Sequence, residues 1–161
     1  MSKGDQQKPL TVAVSARSLF DLEKSHRVFK RKGLEAFLDH SRKNEEIALE
    51  PGPAFPLIKA LLNLNTLCQD SVPSVDIVAV SSIHPEAGLR IINALDHHGL
   101  SIKRASFTGG APIVPYLKGF DVDLLLTKSK DDAQEAVNAG MAAAMMYESP
   151  NISESDEEGQ I

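Results

Sequence analysis

Four short runs of aliphatic and β-branched residues recur along the chain: Leu10-Thr-Val-Ala-Val-Ser15, Val75-Asp-Ile-Val-Ala-Val80, Ser101 to Phe107, and Val122-Asp-Leu-Leu-Leu126. Runs this short, apolar at successive positions rather than at every second one, read as strands buried on both faces. Ala142-Ala-Ala-Met-Met146 is a weaker fifth candidate. Between them lie segments of helical period: Leu19 to Lys32, Leu34 to Arg42, Phe55 to Leu67, Pro85 to His97, Val114 to Gly119 and Asp131 to Ala139. Strand and helix in alternation predict a doubly wound α/β fold, with a mostly parallel sheet of about five strands and helices on both faces. Ligands of such sheets bind beyond the carboxyl ends of the strands. The segments to inspect are therefore Ser15 to Arg17, Ser81 to His84, Thr108 to Gly110 and Thr127 to Lys130.

Local chemistry sets some boundaries. Ser129 with Asp132 three residues later forms a capping-box pattern, and Gly140 and Gly99 stand where left-handed helix ends are expected. The stretch from Gly33 to Pro56 is too long for a minimal crossover, and its Glu50-Pro-Gly-Pro-Ala-Phe-Pro56 run predicts a small helical and Pro-rich insertion, a cap or lid, at about 33–56. The globular domain is expected over 10–148. Residues 1–9 read as a disordered polar leader, and 149–161, with Ser153-Glu-Ser-Asp-Glu-Glu158, as an acidic linker or tail.

Composition narrows the function classes. A chain of 161 residues, 42% hydrophobic and 24% charged, has the size and aliphatic content of one globular domain. Its formal net charge of −5 disfavours nucleic acid, which needs a basic stripe to displace counterions, but leaves room for one small phosphate pocket. Cys68 is the only cysteine, so neither a disulfide framework nor a Cys-based zinc site is expected, and a reducing compartment fits. No apolar run has the length of a signal peptide or a membrane span, which predicts a cytoplasmic protein with no membrane partner.

Candidate chemistry gathers at the expected strand ends. Thr108-Gly109-Gly110, followed by Ala111 and Pro112, can present backbone N–H groups to an anion, or serve simply as a tight strand-to-helix turn. Lys118, one turn further on, adds a point charge to a bound phosphate or is a solvated surface lysine. The Ser81 and Ser82 hydroxyls stand where phosphate oxygens would bind, and Ser82 also suits the N-cap of the helix starting near Pro85. His26, His40, His84, His97 and His98 show no metal-ligand spacing, and His97 and His98 read as helix-end residues. Metal-assisted phosphoryl transfer needs a carboxylate nucleophile and magnesium ligands at one strand end. The first strand instead ends in Ser15-Ala16-Arg17. Asp131 and Asp132 read as helix-start residues, and no catalytic or metal-ligating residue is assigned in this chain.

In order and spacing, Ala13-Val-Ser-Ala-Arg-Ser-Leu-Phe20, Pro51-Gly-Pro-Ala-Phe-Pro-Leu-Ile-Lys-Ala60, Gly88-Leu-Arg-Ile-Ile-Asn93 and Phe107-Thr-Gly-Gly110 with Tyr116-Leu-Lys118 resemble the cytosolic type I 5′-nucleotidase family, over about Leu10 to Met146. The resemblance implies a haloacid-dehalogenase-like phosphohydrolase built of two related halves, the second of which carries an Asp-x-Asp motif. This chain resembles the first half, with Ser15 and Arg17 at the positions of the nucleophilic and acid/base aspartates. It further implies a nucleoside 5′-monophosphate substrate, Mg2+ held by ligands outside this chain, an aspartyl-phosphate formed in the second half, and that half as partner, with homo-oligomerisation possible. Arg17, whose fork geometry suits a phosphate or a carboxylate, would repel magnesium. Two other readings remain open: a stand-alone, non-catalytic nucleotide-binding or interaction module, and unaided ester hydrolysis by Asp21 and Glu23.

Overall fold

The computed structural model describes residues 8–67 and 72–148. Cys68, most of the expected leader and the whole expected acidic linker lie outside the described residues. The strands are β1 (Leu10–Ser15), β2 (Val75–Ser81), β3 (Arg104–Phe107), β4 (Leu124–Thr127) and β5 (Ala142–Met145). The helices are α1 (Ala16–Leu19), α2 (Glu23–Lys43), α3 (Phe55–Leu67), α4 (Pro85–His97), α5 (Val114–Gly119) and α6 (Lys130–Asn138). One five-stranded sheet runs β3-β2-β1-β4-β5, and each neighbouring pair is parallel. This is the expected doubly wound architecture.

Period-two alternation along the central strands divides the core. Val12, Val14, Ile77 and Leu126 pack with Leu19, Phe20, Ile58 and Ile91, from α1, α3, α4 and the turn after α1. Ala13, Val78, Val80 and Leu125 pack with Val114, Leu117 and Ala136, from α5 and α6. Chain direction reverses its course across the sheet at β1: the first crossovers build outward to β3, and the chain then returns to place β4 on the other side of β1. The carboxyl ends of β1 and β4 therefore flank the switch point at which doubly wound sheets bind ligands.

Element boundaries differ from the sequence expectation at several places. The helix expected from Leu19 begins earlier and breaks: Ser15 caps the single turn of α1, and Phe20 then turns extended and bridges Pro51, burying its ring completely. Helix resumes at Glu23, whose N–H donates to Asp21 Oδ1 at 3.0 Å. The expected break at 33 is present as a kink in α2, where Gly33 has φ +82 and ψ −171, a conformation that costs a residue with a side chain far more. Ser101–Lys103 does not pair although β2 runs back to Val75 alongside it; Ile102 N instead donates locally to Leu100 O at 2.9 Å.

The expected insertion at about 33–56 is divided in the structure. Residues up to Lys43 form the second arm of α2, joined to α4 by the Arg42–Glu86 ion pair. Residues 44–54 form neither helix nor strand beyond the bridge at Pro51, yet they are fastened to the core. Leu49 and Ala54 are buried, Asp21 N donates to Glu50 O at 2.8 Å, and Gly52 N donates to Leu19 O at 2.8 Å. His98 Nε2 lies 2.7 Å from Leu49 O, and its ring stacks on Phe20 with centroids 5.6 Å apart.

Candidate functional site

A cleft of about 470 Å³ opens at the carboxyl edge of the sheet, where residues following β1 and β2 meet α2 and α4. This is within the usual volume range of small-ligand pockets. Ser25, His26 and Phe29 enter it from the first arm of α2, and Leu34, Phe37 and Ser41 from the second. Ile83, Ala87 and Ile91 supply apolar surface from the other side, and Arg17 and Arg90 bring two guanidiniums.

The α2 kink explains how one helix lines the cleft twice. With the two arms set at an angle by Gly33, Phe29 and Phe37 meet edge to face with centroids 5.8 Å apart. The apolar period of α4 buries Ala87, Ile91 and Ala94, and Arg90 lies three residues after the first and four before the last. That spacing puts it on the buried side of the helix. Its Nη1 donates to Ser25 Oγ at 3.0 Å, and Ser25 is itself buried.

At the switch point four charged side chains form a chain of contacts. Arg17 Nη2 lies 3.1 Å from Glu23 Oε1, and Lys128 Nζ, from the turn after β4, lies 2.9 Å from the same oxygen. Lys128 also reaches Glu148 Oε1 at 2.6 Å. The Lys128 ammonium, with Arg17 assisting against the opposing effect of burial, holds the Glu23 carboxyl down to about 2. Burial works against the charge on Lys128, but its bonds to Glu148 and Glu23 outweigh it and raise its pKa. His26 is lowered by burial and by the nearby charges of Arg17 and Lys30. Burial alone lowers Arg90.

The structure brings five of the eight sequence-predicted binding residues to the cleft: Arg17, Ser81, Ser82, Gly109 and Gly110. Ser15 is next to it, but its hydroxyl accepts from Ser18 N and donates to Ser18 Oγ, capping α1. Ser81 Oγ accepts from Ile83 N at 3.2 Å. Ser82 does not cap α4; His84 does, its ring nitrogen accepting from Glu86 N.

The backbone N–H groups expected to face an anion are engaged elsewhere. Thr108 N donates to Ser81 O, Gly109 N to Ile83 O and Gly110 N to Ser82 O, so the Gly-Gly turn is stitched to the turn after β2. The Thr108 hydroxyl donates to Ala111 O. Lys118 is exposed on α5, a helix that packs against the other face of the sheet, and is absent from the cleft lining. Ser129 caps α6 by accepting from Asp132 N, as expected.

Sequence reasoning passed over Arg90, Ser25, Phe29 and Phe37 as site residues, weighed His26 only as a metal ligand, and reached Lys128 only as part of the strand-end segment 127–130. For Arg90 a signal was present: an arginine in step with the buried positions 87, 91 and 94 of a strongly amphipathic helix. Phe29 and Phe37 gave none, because their meeting depends on the angle at Gly33.

Together these features define a doubly wound α/β domain with an apolar, cation-bearing cleft at the carboxyl edge of its sheet. The family model described as 5′-nucleotidase matches residues 1–161, and the chain belongs to the 5′-nucleotidase family. Cytosolic 5′-nucleotidase 1B of Homo sapiens is 34% identical over 143 residues, which are 86% of this chain and 23% of that protein. The chain thus spans about a quarter of the length of that relative. The HAD domain of the effector protein Lem4 from Legionella pneumophila superposes on 91% of this chain, and on 89% of its own, with a TM-score of 0.47 and 11% identity, a likeness too loose to bear on the site.

Magnesium, which the family generally requires, does not fit the residues at the tip of β1. Ser15 is committed to a cap, Arg17 and Lys128 are cations, and the one carboxylate between them already serves both. At an effective dielectric near 20, a divalent ion about 4 Å from one such cation is repelled by roughly 8 kcal/mol. Among the described residues no three or more His, Cys, Asp or Glu side chains gather as a metal site.

Proposed function

We propose that this chain is the non-catalytic, N-terminal half of a 5′-nucleotidase, and that it seats the nucleoside 5′-monophosphate while the reacting carboxylates and their magnesium come from a second half. One observation carries the reading. The domain has a ligand-sized cleft at the carboxyl ends of β1, β2 and β3, lined by aromatic and aliphatic side chains with two guanidiniums and no carboxylate, where a self-sufficient phosphatase needs carboxylates. The apolar surface suits a nucleoside, and the cations suit its phosphate.

Unaided hydrolysis by Asp21 and Glu23 is poorly supported, since Glu23 is bound by two cations and Asp21 accepts the Glu23 N–H. The reading extends to a cytoplasmic location, in keeping with the cytosolic relative, and among the described residues no helix is long and apolar enough to cross a membrane. Exposed Leu57, Leu64 and Leu67 along α3 support an additional role as a contact surface for the second half or for another copy.

The test pairs two measurements on the purified chain. Calorimetric titration with nucleoside 5′-monophosphates is expected to show saturable binding, and a phosphatase assay with the same substrates and magnesium no turnover. Arg17→Ala is expected to weaken binding by up to about fivefold, the scale of a partly exposed charge. Magnesium-dependent turnover that Asp21→Asn abolishes would overturn the assignment. Unchanged affinity and unchanged assembly in Arg17→Ala would remove Arg17 from the site.

A further inference from the structure

The two guanidiniums of the cleft are not equivalent. Arg17 has a carboxylate partner, Glu23, at 3.1 Å, and a second cation, Lys128, shares it. Among the described residues Arg90 forms no ion pair. Both guanidiniums bury an Nε that has no acceptor, but Arg17 has a carboxylate to balance its charge, whereas the one hydrogen bond of Arg90 goes to a neutral hydroxyl, Ser25 Oγ. No counter-charge comes from the neighbouring imidazoles, and His40 has its pKa pushed down by burial and then by the charge of Arg90.

A partly buried cation with an orphaned donor is costly to hold, and folds retain such groups where a ligand completes them. The missing complement is an anion with two acceptor oxygens, since Nε and one Nη of a guanidinium present parallel donors to such a group. The same cleft offers Phe29 and Phe37, packed edge to face, with Leu34 beside them as an apolar seat. Phe29 is 47% exposed and leaves ring surface free for stacking.

We infer that Arg90, rather than the Arg17 singled out by the strand-end position, is the principal anion anchor of the cleft, and that its ligand is a phosphate monoester whose planar aromatic body rests against Phe29 and Phe37. The inference rests on the reading of the cleft as a nucleotide site and assigns the phosphate its place within it. Arg17, held by Glu23, lends a screened charge at the rim.

The full chain and its Arg90→Met, Arg90→Gln and Arg17→Gln variants would be titrated calorimetrically with AMP, phenyl phosphate and inorganic phosphate. Arg90→Met and Arg90→Gln are expected to lose about ten- to a hundredfold in affinity for AMP and phenyl phosphate, the scale of hydrogen bonds to a charged group. Arg17→Gln should lose several-fold less. Without ligand, Arg90→Met should melt at or above the wild-type temperature, because it removes an uncompensated charge from a partly buried position. A merely structural arginine would lower the melting temperature and leave affinity alone.

Arg90 variants that bind within about twofold of wild type, or an Arg17→Gln loss equal to or larger than theirs, overturn the inference and leave the nucleotide reading standing. Binding of phenyl phosphate but not AMP, still dependent on Arg90, sinks the nucleotide reading and keeps the anchor. A wild-type chain that binds none of the three probes removes both.

Discussion

The two edges of the sheet handle charge differently. At the amino edge, Lys8 meets Asp121 and Asp123 at 3.1 and 3.3 Å, and Arg104 pairs with Asp76 while its guanidinium lies 5.3 Å from the Phe120 ring centroid. Two cations there face three carboxylates. At the carboxyl edge Arg17 and Lys128 share Glu23, Lys128 also reaches Glu148, and Arg90 has only the Ser25 hydroxyl. Both edges contain ion pairs of similar length, so counting contacts would not separate them. What separates them is the cation left over: Lys8 and Arg104 each have a carboxylate, whereas Arg90, partly buried at the carboxyl edge, has none among the described residues. A binding site shows itself by charge the fold leaves unbalanced, more than by charge it brings together.

The sharpest way to break this contrast is to disturb what props the carboxyl edge. Gly52 passes so close to the end of α1 that an added Cβ would lie 2.6 Å from Ser18 O and 3.0 Å from the Leu19 and Phe20 carbonyl carbons, all backbone atoms that cannot rotate away. Gly52→Ala is expected to cost about 1–3 kcal/mol in denaturant unfolding and to weaken nucleotide binding by shifting α1 and Arg17. A stable Gly52→Ala protein with intact binding would show that the cleft does not depend on this support.

A smaller effect is expected from the switch-point carboxylate. Glu23 titrates near 2 against an ordinary 4.5, so its stabilising contribution is complete above about pH 4.5 and disappears as pH falls through about 2. Glu23→Gln should therefore cost up to about 1 kcal/mol at pH 7, discounted for the solvent that reaches this partly exposed side chain. Melting curves recorded from pH 7 downward should bring mutant and wild type together. A gap that widened in acid would contradict the ion-pair account. Because the substitution also releases Arg17 and Lys128, anion affinity at the rim should rise.

The smallest change belongs to the amino edge. Asp76→Ala removes a partner of Arg104 and should cost no more than about 1 kcal/mol, with nucleotide affinity unmoved. Lys8→Ala should likewise leave affinity unmoved. A loss of affinity from either would mean that the two edges are coupled through the sheet.

Much of this architecture was legible in the residue pattern. The aliphatic runs located all five strands, and the bounds of α3, α4 and α5 follow from hydrophobic period and local punctuation. The errors fall at element ends. Phe20 leaves helix because its ring is claimed by Phe55 and His98, and Ser101–Lys103 stays out of the sheet, with Ile102 N turned back to Leu100 O. The site was legible only at strand ends. Arg17, Ser81, Ser82, Gly109 and Gly110 follow from topology, whereas the free donor capacity expected of the Gly-Gly turn is absorbed by three carbonyls of residues 81–83. Arg90 was written in a helical period but is read as a site residue only when its missing partner can be seen.

The stretch from 44 to 54 has the composition of a surface loop, a natural place to graft a peptide or to cut and rejoin the chain. Its fastenings say otherwise. Its backbone bonds to Ser18, Leu19 and Asp21 on one side and to His98 on the other make it a strap between the end of β1 and the far end of α4. A circular permutation opened there would release the Phe20 ring from its stack and unfasten the turn between α1 and α2, so an engineer should look for a permissive site elsewhere.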